Sequence, residues 1–355
     1  QFGQVVPWTD GAQARLVVAA LKAGLKGKTT DTAFTQNGRV FPAGSAVFAA
    51  ADNEANLSSE LTRLAQEIGA ETVHMATSWV DDGPNFGSSS FAAMRMPKVA
   101  LAWGEGTTPT SAGNTRFVLE QELGIPVAPI FVSTLSRADL SLYDVVILPD
   151  TYGGLVRQIG NVDPLQEFVR EGGVLVAFST AIGELAAEDV GLLSTSLERA
   201  TADGESVDAG DEGSAPGINF ASETEYQDHV RDLSARPEDI PGVLVRAIAN
   251  TDHWLASGYS EATALVTGRE IYRPLNASDG TNVFRFADAD TLLKSGYLWE
   301  ENRAQLAFKP FVMAEPQGDG LVIGFTQSPT TRAYLNGLNL LLANAVVLAP
   351  ARVAQ

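Results

Sequence analysis

A double glycine, Gly172-Gly173, leads the apolar run Val174-Leu175-Val176-Ala177-Phe178 straight into Ser179-Thr180-Ala181. That order reads as a buried parallel strand stopped by a sharp turn. In open α/β sheets such carboxyl ends carry ligands and nucleophiles, because the turn lifts one side chain clear of the sheet. A cysteine there would serve amide hydrolysis or transfer through its thiolate. This chain has no cysteine and offers hydroxyls instead, so Ser179 and Thr180 are the candidate nucleophiles. Serine needs a strong, positioned base, whereas a thiol with a pKa near ~8.5 is already partly ionised at neutral pH. His253, preceded by Asp252, is the best-placed base by sequence context. A Ser179–His253–acid arrangement would make a serine-type hydrolase. The competing reading makes Ser179 a helix cap and lets His253 order a loop beside Trp254 and Tyr259.

Other chemistries are less well provided for. Catalytic zinc takes about three protein ligands at fixed spacing. The chain has three histidines, His74, His229 and His253, and only His229 has a carboxylate three positions on, Asp232; His74 is followed there by Thr77. Neither a metal nor a cofactor is expected. The loop from Gly104 to Gly113 follows a strand and precedes a helix, where an anion could sit at the helix start. It lacks both the P-loop lysine and the GxGxxG spacing, which favours an ordinary loop. Glu300 and Glu301 are adjacent, so they point in different directions and would not share a substrate. A helix-start carboxylate or a salt bridge to Arg303 suits them better. Tyr297, Trp299 and Phe308 suit core or interface packing, with a sugar- or peptide-binding platform as the alternative. The acidic run Asp203 to Glu212 lacks the ordered spacing of a calcium loop and reads as solvated.

The elements around these residues divide the chain. Residues 1–96 predict a small mixed α/β unit, with helices over 12–23 and 57–68 stopped by Gly24 and Gly69, and a strand over 46–50. The stretch 81–90 has loop chemistry and suits a linker. Residues 97–355 predict strands over 98–103, 127–131, 144–148 and 172–178. Helices separate them, one capped by Asn114 and one opened by Asp163-Pro164. Buried strands with helical crossovers imply a parallel, doubly wound sheet. After an irregular acidic excursion near 198–240, strands return over 241–249, 307–315 and 321–326. A strongly apolar helix follows over 332–348 and must be largely covered.

Composition narrows the partners. With 24 Lys and Arg against 43 Asp and Glu the formal charge is −19, a surface that repels phosphate backbones and anionic lipid. Nucleic acid is not expected as a partner, nor is membrane insertion. No signal peptide is visible at Gln1-Phe2-Gly3-Gln4.

Several blocks together resemble a known family. They are Pro97 to Trp103 with Ser111-Ala112-Gly113, Tyr143 to Asp150, Asp252 to Tyr259, Ser295 to Asn302, Lys309-Pro310, and Arg332 to Asn339. The series is similar to the C-terminal portion of large bacterial M14-type zinc carboxypeptidase-like proteins. That portion in turn is similar to class I glutamine amidotransferases, the group that includes the DJ-1/PfpI proteins. The likeness spans roughly residues 97–349, and the segment before it looks like the joint between peptidase and amidotransferase-like parts. It implies a three-layer α/β/α flavodoxin-like fold. It also implies a secreted or periplasmic parent and a zinc peptidase domain as partner, in cis or in trans. The chain departs from the family's chemistry where the thiol and the zinc ligands should be. The resemblance therefore implies a pseudo-amidotransferase accessory domain for docking, stability or substrate positioning. Ser179, Thr180 and His253 would then be vestigial.

Overall fold

A computed structural model describes residues 2–198, 222, 240–268 and 270–353. The acidic run Asp203 to Glu212, His229 and Asp232 lie outside the described residues.

The first part builds a five-stranded antiparallel sheet. Its elements are β1 (Gly3–Val6), α1 (Gly11–Lys22), β2 (Lys28–Thr29), β3 (Phe34–Gln36), β4 (Arg39–Phe41), β5 (Ala46–Ala49), α2 (Leu57–Ile68), β6 (Val73–Met75) and β7 (Ala92–Ala93). The sheet order is β6-β1-β5-β2-β7, with β3 and β4 paired as a separate hairpin. Asp10 caps α1 by accepting from the Ala12 and Gln13 amides, and Gly69, at φ 77°, ends α2 in the left-handed region. Within the stretch 81–90, Phe86 meets Phe34 and neighbouring Phe91 edge-to-face at 5.3 and 5.5 Å.

The larger part carries β8 (Val99–Trp103), α3 (Pro109–Phe117), β9 (Val127–Phe131), β10 (Val145–Leu148), α4 (Leu155–Ile159), α5 (Asp163–Arg170), β11 (Val174–Phe178) and α6 (Thr180–Leu185). It continues with β12 (Ile240–Ala249), β13 (Glu261–Gly268), β14 (Thr281–Phe286), β15 (Leu293–Ser295), α7 (Glu300–Leu306), β16 (Pro310–Gln317), β17 (Gly320–Phe325) and α8 (Asn339–Ala343). All these strands share one mixed sheet in the order β13-β12-β14-β16-β17-β11-β10-β8-β9, with β15 paired to β12. The expected parallel arrangement holds for β9, β8, β10, β11 and β17. The remainder is antiparallel, which corrects the wholly parallel reading. The burial pattern shows why. β10 and β11 are buried at every position, as strands covered on both faces must be. Along β13, buried Ala262, Ala264 and Val266 alternate with more exposed neighbours, the mark of a sheet wet on one side.

Alternation along the parallel strands serves two cores. Leu101, Ile147 and Val176 pack on one face with α1 and the C-terminal helix, whereas Ala102, Leu148 and Ala177 pack on the other with α5 and α6. Two helix starts differ from expectation. α3 begins at Pro109, a residue suited to a first turn, and so encloses Asn114. Arg332 and Ala333, at φ 50° and 52°, break the final helix, which resumes at Asn339. The helical stretch Asn336–Val353 is long and apolar enough to cross a bilayer, yet 78% of it is buried within the protein. It serves as a core helix.

One buried polar residue ties the parts together. Asn344, fully buried, accepts from Trp8 Nε1 at 2.6 Å and donates to the Leu255 and Ser257 carbonyls at 2.8 and 2.9 Å. Asn344→Ala would orphan three buried polar groups and should cost about 2–4 kcal/mol. Denaturant unfolding checks this, and a loss under ~0.5 kcal/mol would show that water replaces the amide.

Candidate functional site

The polar groups at the carboxyl ends of β10 and β11 form the candidate site. Register fixes them there, since Leu148 lies beside Ala177, and Phe178 beside Phe325 of β17. Ser179 then turns sharply, at φ 51° and ψ −118°, a conformation costly for any residue with a Cβ. Four bonds hold the turn. The Ser179 amide donates to the Phe325 carbonyl at 2.8 Å, and the Ser179 carbonyl accepts from Tyr272 Oη at 2.8 Å and from the Ile182 amide at 3.1 Å. Tyr272 Oη also accepts from the Gly183 amide at 3.2 Å. Burial pushes the Tyr272 phenol upward, with nearby Glu270, Asp150 and Glu184 adding to it, so it remains a donor.

Thr180 opens α6 and is the most engaged residue of the site. Its hydroxyl donates to Asp150 Oδ1 at 2.7 Å, and its amide reaches the same oxygen at 3.3 Å. The Thr180 hydroxyl also accepts from the Thr151 amide at 2.9 Å. Glu184, one turn along α6, accepts from the Thr151 hydroxyl at 3.1 Å and from the Val156 amide at 2.9 Å. The glycine-rich loop is drawn into the same knot. The Thr108 amide donates to the Asp150 carbonyl at 2.7 Å, and the Asp150 amide donates to Ser111 Oγ at 3.1 Å. The Thr108 amide, next to the start of α3, is thus engaged. By contrast, Ser179 Oγ is 9% exposed at the residue level and forms no hydrogen bond among the described residues.

The structure brings Ser179 and Thr180 together and keeps His253 apart. His253 follows β12, which is four strands from β11 through β14, β16 and β17. At about 4.8 Å per spacing this is roughly 19 Å in the sheet plane. The two also belong to different faces: Leu255 and Ala256 bury with the C-terminal helix, whereas Ala181 and Ile182 bury opposite. A Ser179–His253 pair is therefore not formed. His253 caps a short helical turn, its Nδ1 accepting from the Leu255 amide at 3.2 Å, and its ring lies 5.3 Å from that of Trp254. Burial pushes its pKa down to about 4. Trp299 is half-buried and meets Tyr297 edge-to-face at 4.9 Å. Among the described residues no cluster of His, Asp and Glu is arranged to hold a metal.

Sequence reasoning overlooked Asp150, Thr151, Glu184 and Tyr272. Asp150 alone carried a signal, as the polar residue ending an apolar strand. Tyr272 comes from 93 residues beyond Ser179, and no local pattern announces it.

No family model and no curated protein sequence matches the chain. Among solved structures, it is similar to a ThuA-like protein from Parabacteroides merdae, at 13% identity and TM-score 0.43, over 72% of this chain and 90% of that one. It is also similar to a β-galactosidase from Bacillus circulans sp. alkalophilus, at 14% identity and TM-score 0.38, over 84% of this chain and 36% of that one. An exo-β-1,4-mannosidase from an Opitutaceae bacterium gives 9% identity and TM-score 0.38, over 71% and 36% of the two chains. Likeness at this level carries no functional argument.

Two outcomes are expected. Ser179→Gly removes a strained Cβ and a hydroxyl without partners, so it should stabilise the fold by about 1 kcal/mol. A destabilised variant in urea unfolding would mean that Ser179 Oγ matters to the native state. His253 has a folded pKa below its unfolded value of 6.5, so its contribution is complete above pH 6.5 and is lost as pH falls toward about 4. The full shift corresponds to at most about 3 kcal/mol. His253→Asn keeps an acceptor for the Leu255 amide and should flatten the melting-temperature curve across that window. Parallel curves for the two proteins would refute the assignment.

Proposed function

We propose that the chain is a non-catalytic, pseudo-amidotransferase accessory domain with a flavodoxin-like three-layer core. The observation that carries this reading is the Asp150 carboxylate on the Thr180 amide. In a nucleophile elbow, the amide after the nucleophile helps to bind the oxyanion of the tetrahedral intermediate. Here that amide faces a carboxylate oxygen, which would repel the developing negative charge. Among the described residues no base lies within hydrogen-bond reach of Ser179 Oγ, and unassisted serine is a weak nucleophile. The turn survives as a structural joint.

The sequence blocks that resemble M14-type zinc carboxypeptidase-like proteins support the rest of the reading. The domain would sit beside a zinc peptidase domain in a secreted or periplasmic protein, contributing docking, stability or substrate positioning. The purified chain is expected to turn over glutamine, p-nitrophenyl acetate and dipeptides no faster than buffer, with Ser179→Ala making no difference. Activity that Ser179→Ala abolishes would overturn the reading. For the docking role, an M14-type peptidase expressed with this chain should melt higher or bind its peptide substrate more tightly than the peptidase alone. Identical melting and kcat/KM would remove that role.

A further inference from the structure

A second crevice lies above the ends of β8 and β9, away from the locked elbow. Trp103, Glu105, Phe131, Ser133, Arg157 and Gln158 line a cavity of about 600 Å³ there. Its place in the topology is informative. From β8 the chain moves outward to β9, then crosses back to β10 on the other side of β8. Ligands of open α/β sheets bind near such reversals; this one falls between β8 and β10, and Arg157 and Gln158, which follow β10, reach the crevice from across it.

Two glycines shape its walls. Gly104, at φ 87°, lets the backbone lie against the Phe131 ring, which a Cβ would meet at 2.8 Å. Gly106, at φ 97°, does the same for the Gln158 amide, at 2.6 Å. Phe131 nevertheless remains 61% exposed, so its other face is presented to solvent. Trp103 is steadied by the Arg116 guanidinium 5.9 Å from its ring. Among the described residues, Glu105, Ser133, Arg157 and Gln158 form no side-chain hydrogen bond or ion pair. The crevice thus combines an exposed aromatic face with one anion, one cation, an amide and a hydroxyl, all available.

We propose that this switch-point crevice binds a neutral mono- or disaccharide, with a C–H face of the sugar on Phe131 and its hydroxyls between Glu105, Arg157 and Gln158. A hydroxyl both donates and accepts, so neighbouring hydroxyls satisfy a carboxylate and a guanidinium at once. An apolar ligand would bury those polar groups unpaired, which is unfavourable. A phosphorylated ligand would face Glu105 and a chain of net charge −19. The proposal goes beyond the accessory reading and does not depend on the elbow being inert.

The test is calorimetric or NMR titration of the full chain with glucose, galactose, mannose, maltose and cellobiose, using glycine and inorganic phosphate as competing chemistries. Phe131 and Arg157 are exposed, so Phe131→Ala and Arg157→Ala should fold, as circular dichroism would confirm. Saturable binding of at least one sugar is expected, weakened tenfold or more by either variant and unchanged by Trp299→Ala. Three results would overturn the proposal: no sugar in the panel binds, binding ignores both variants, or glycine or phosphate binds in place of the sugars. None of these touches the hydrolase assays, so the two readings fail separately.

Discussion

Asp150 accepts from both the amide and the hydroxyl of Thr180, and those two bonds join the end of β10 to the start of α6. The surrounding polar network is organised by this joint. Thr151 is oriented by the Thr180 hydroxyl, Glu184 by Thr151, and the entrance to α4 by Glu184. A half-buried carboxylate is tolerated because its acceptor capacity is met by charge-assisted bonds, which are stronger than neutral ones. The same bonds hold Ser179 in a backbone conformation that it would otherwise avoid. Strain at a turn persists only where the surroundings over-determine it. Here the Phe325 carbonyl of β17 and the Tyr272 hydroxyl, from the segment after β13, complete that determination.

The joint also governs what the turn can do chemically. An elbow suited to acyl transfer needs a free amide aimed at the oxyanion and a base aimed at the nucleophile. This one has a carboxylate on the amide and an unpartnered hydroxyl in place of the nucleophile. The turn keeps a strand–turn–helix shape while its amide faces a carboxylate oxygen. The crevice at the ends of β8 and β9 has the opposite character. Among the described residues its polar side chains are uncommitted, and its glycines bring backbone close to an aromatic ring and an amide. Ligand recognition and the elbow are therefore separate features of one sheet edge.

Much of the fold was legible locally. The helix over Leu57–Ile68 shows a clear apolar stripe and stops at a glycine in the left-handed region. β10 and β11 announce themselves as unbroken apolar runs, which only strands covered on both faces can be. The strands β13, β14 and β15 were missed because their apolar residues are interrupted by polar ones that face water or line the sheet edge. The start of α3 was misplaced because Asn114 is a good cap, but Pro109 had already set the first turn. At the site, Ser179 and Thr180 were legible from the strand–turn–helix pattern. Asp150 carried only the signal of a polar residue ending an apolar strand, and Tyr272, 93 residues beyond Ser179, carried none.

The sequence alone determined that this chain folds around buried parallel strands, that it has no thiol for the turn after Phe178, and that its surface is strongly acidic. These are properties of composition and short-range periodicity, and neighbouring residues suffice to read them. Tertiary structure decided the rest. It decided that His253 lies four strands from Ser179, because strand order is set by how distant hairpins cover the sheet. It decided that the hydroxyl of Thr180 meets Asp150, because register between β10 and β11 brings residues 30 apart within one bond. Chemistry depends on such distances in space, and distances in space belong to the folded chain.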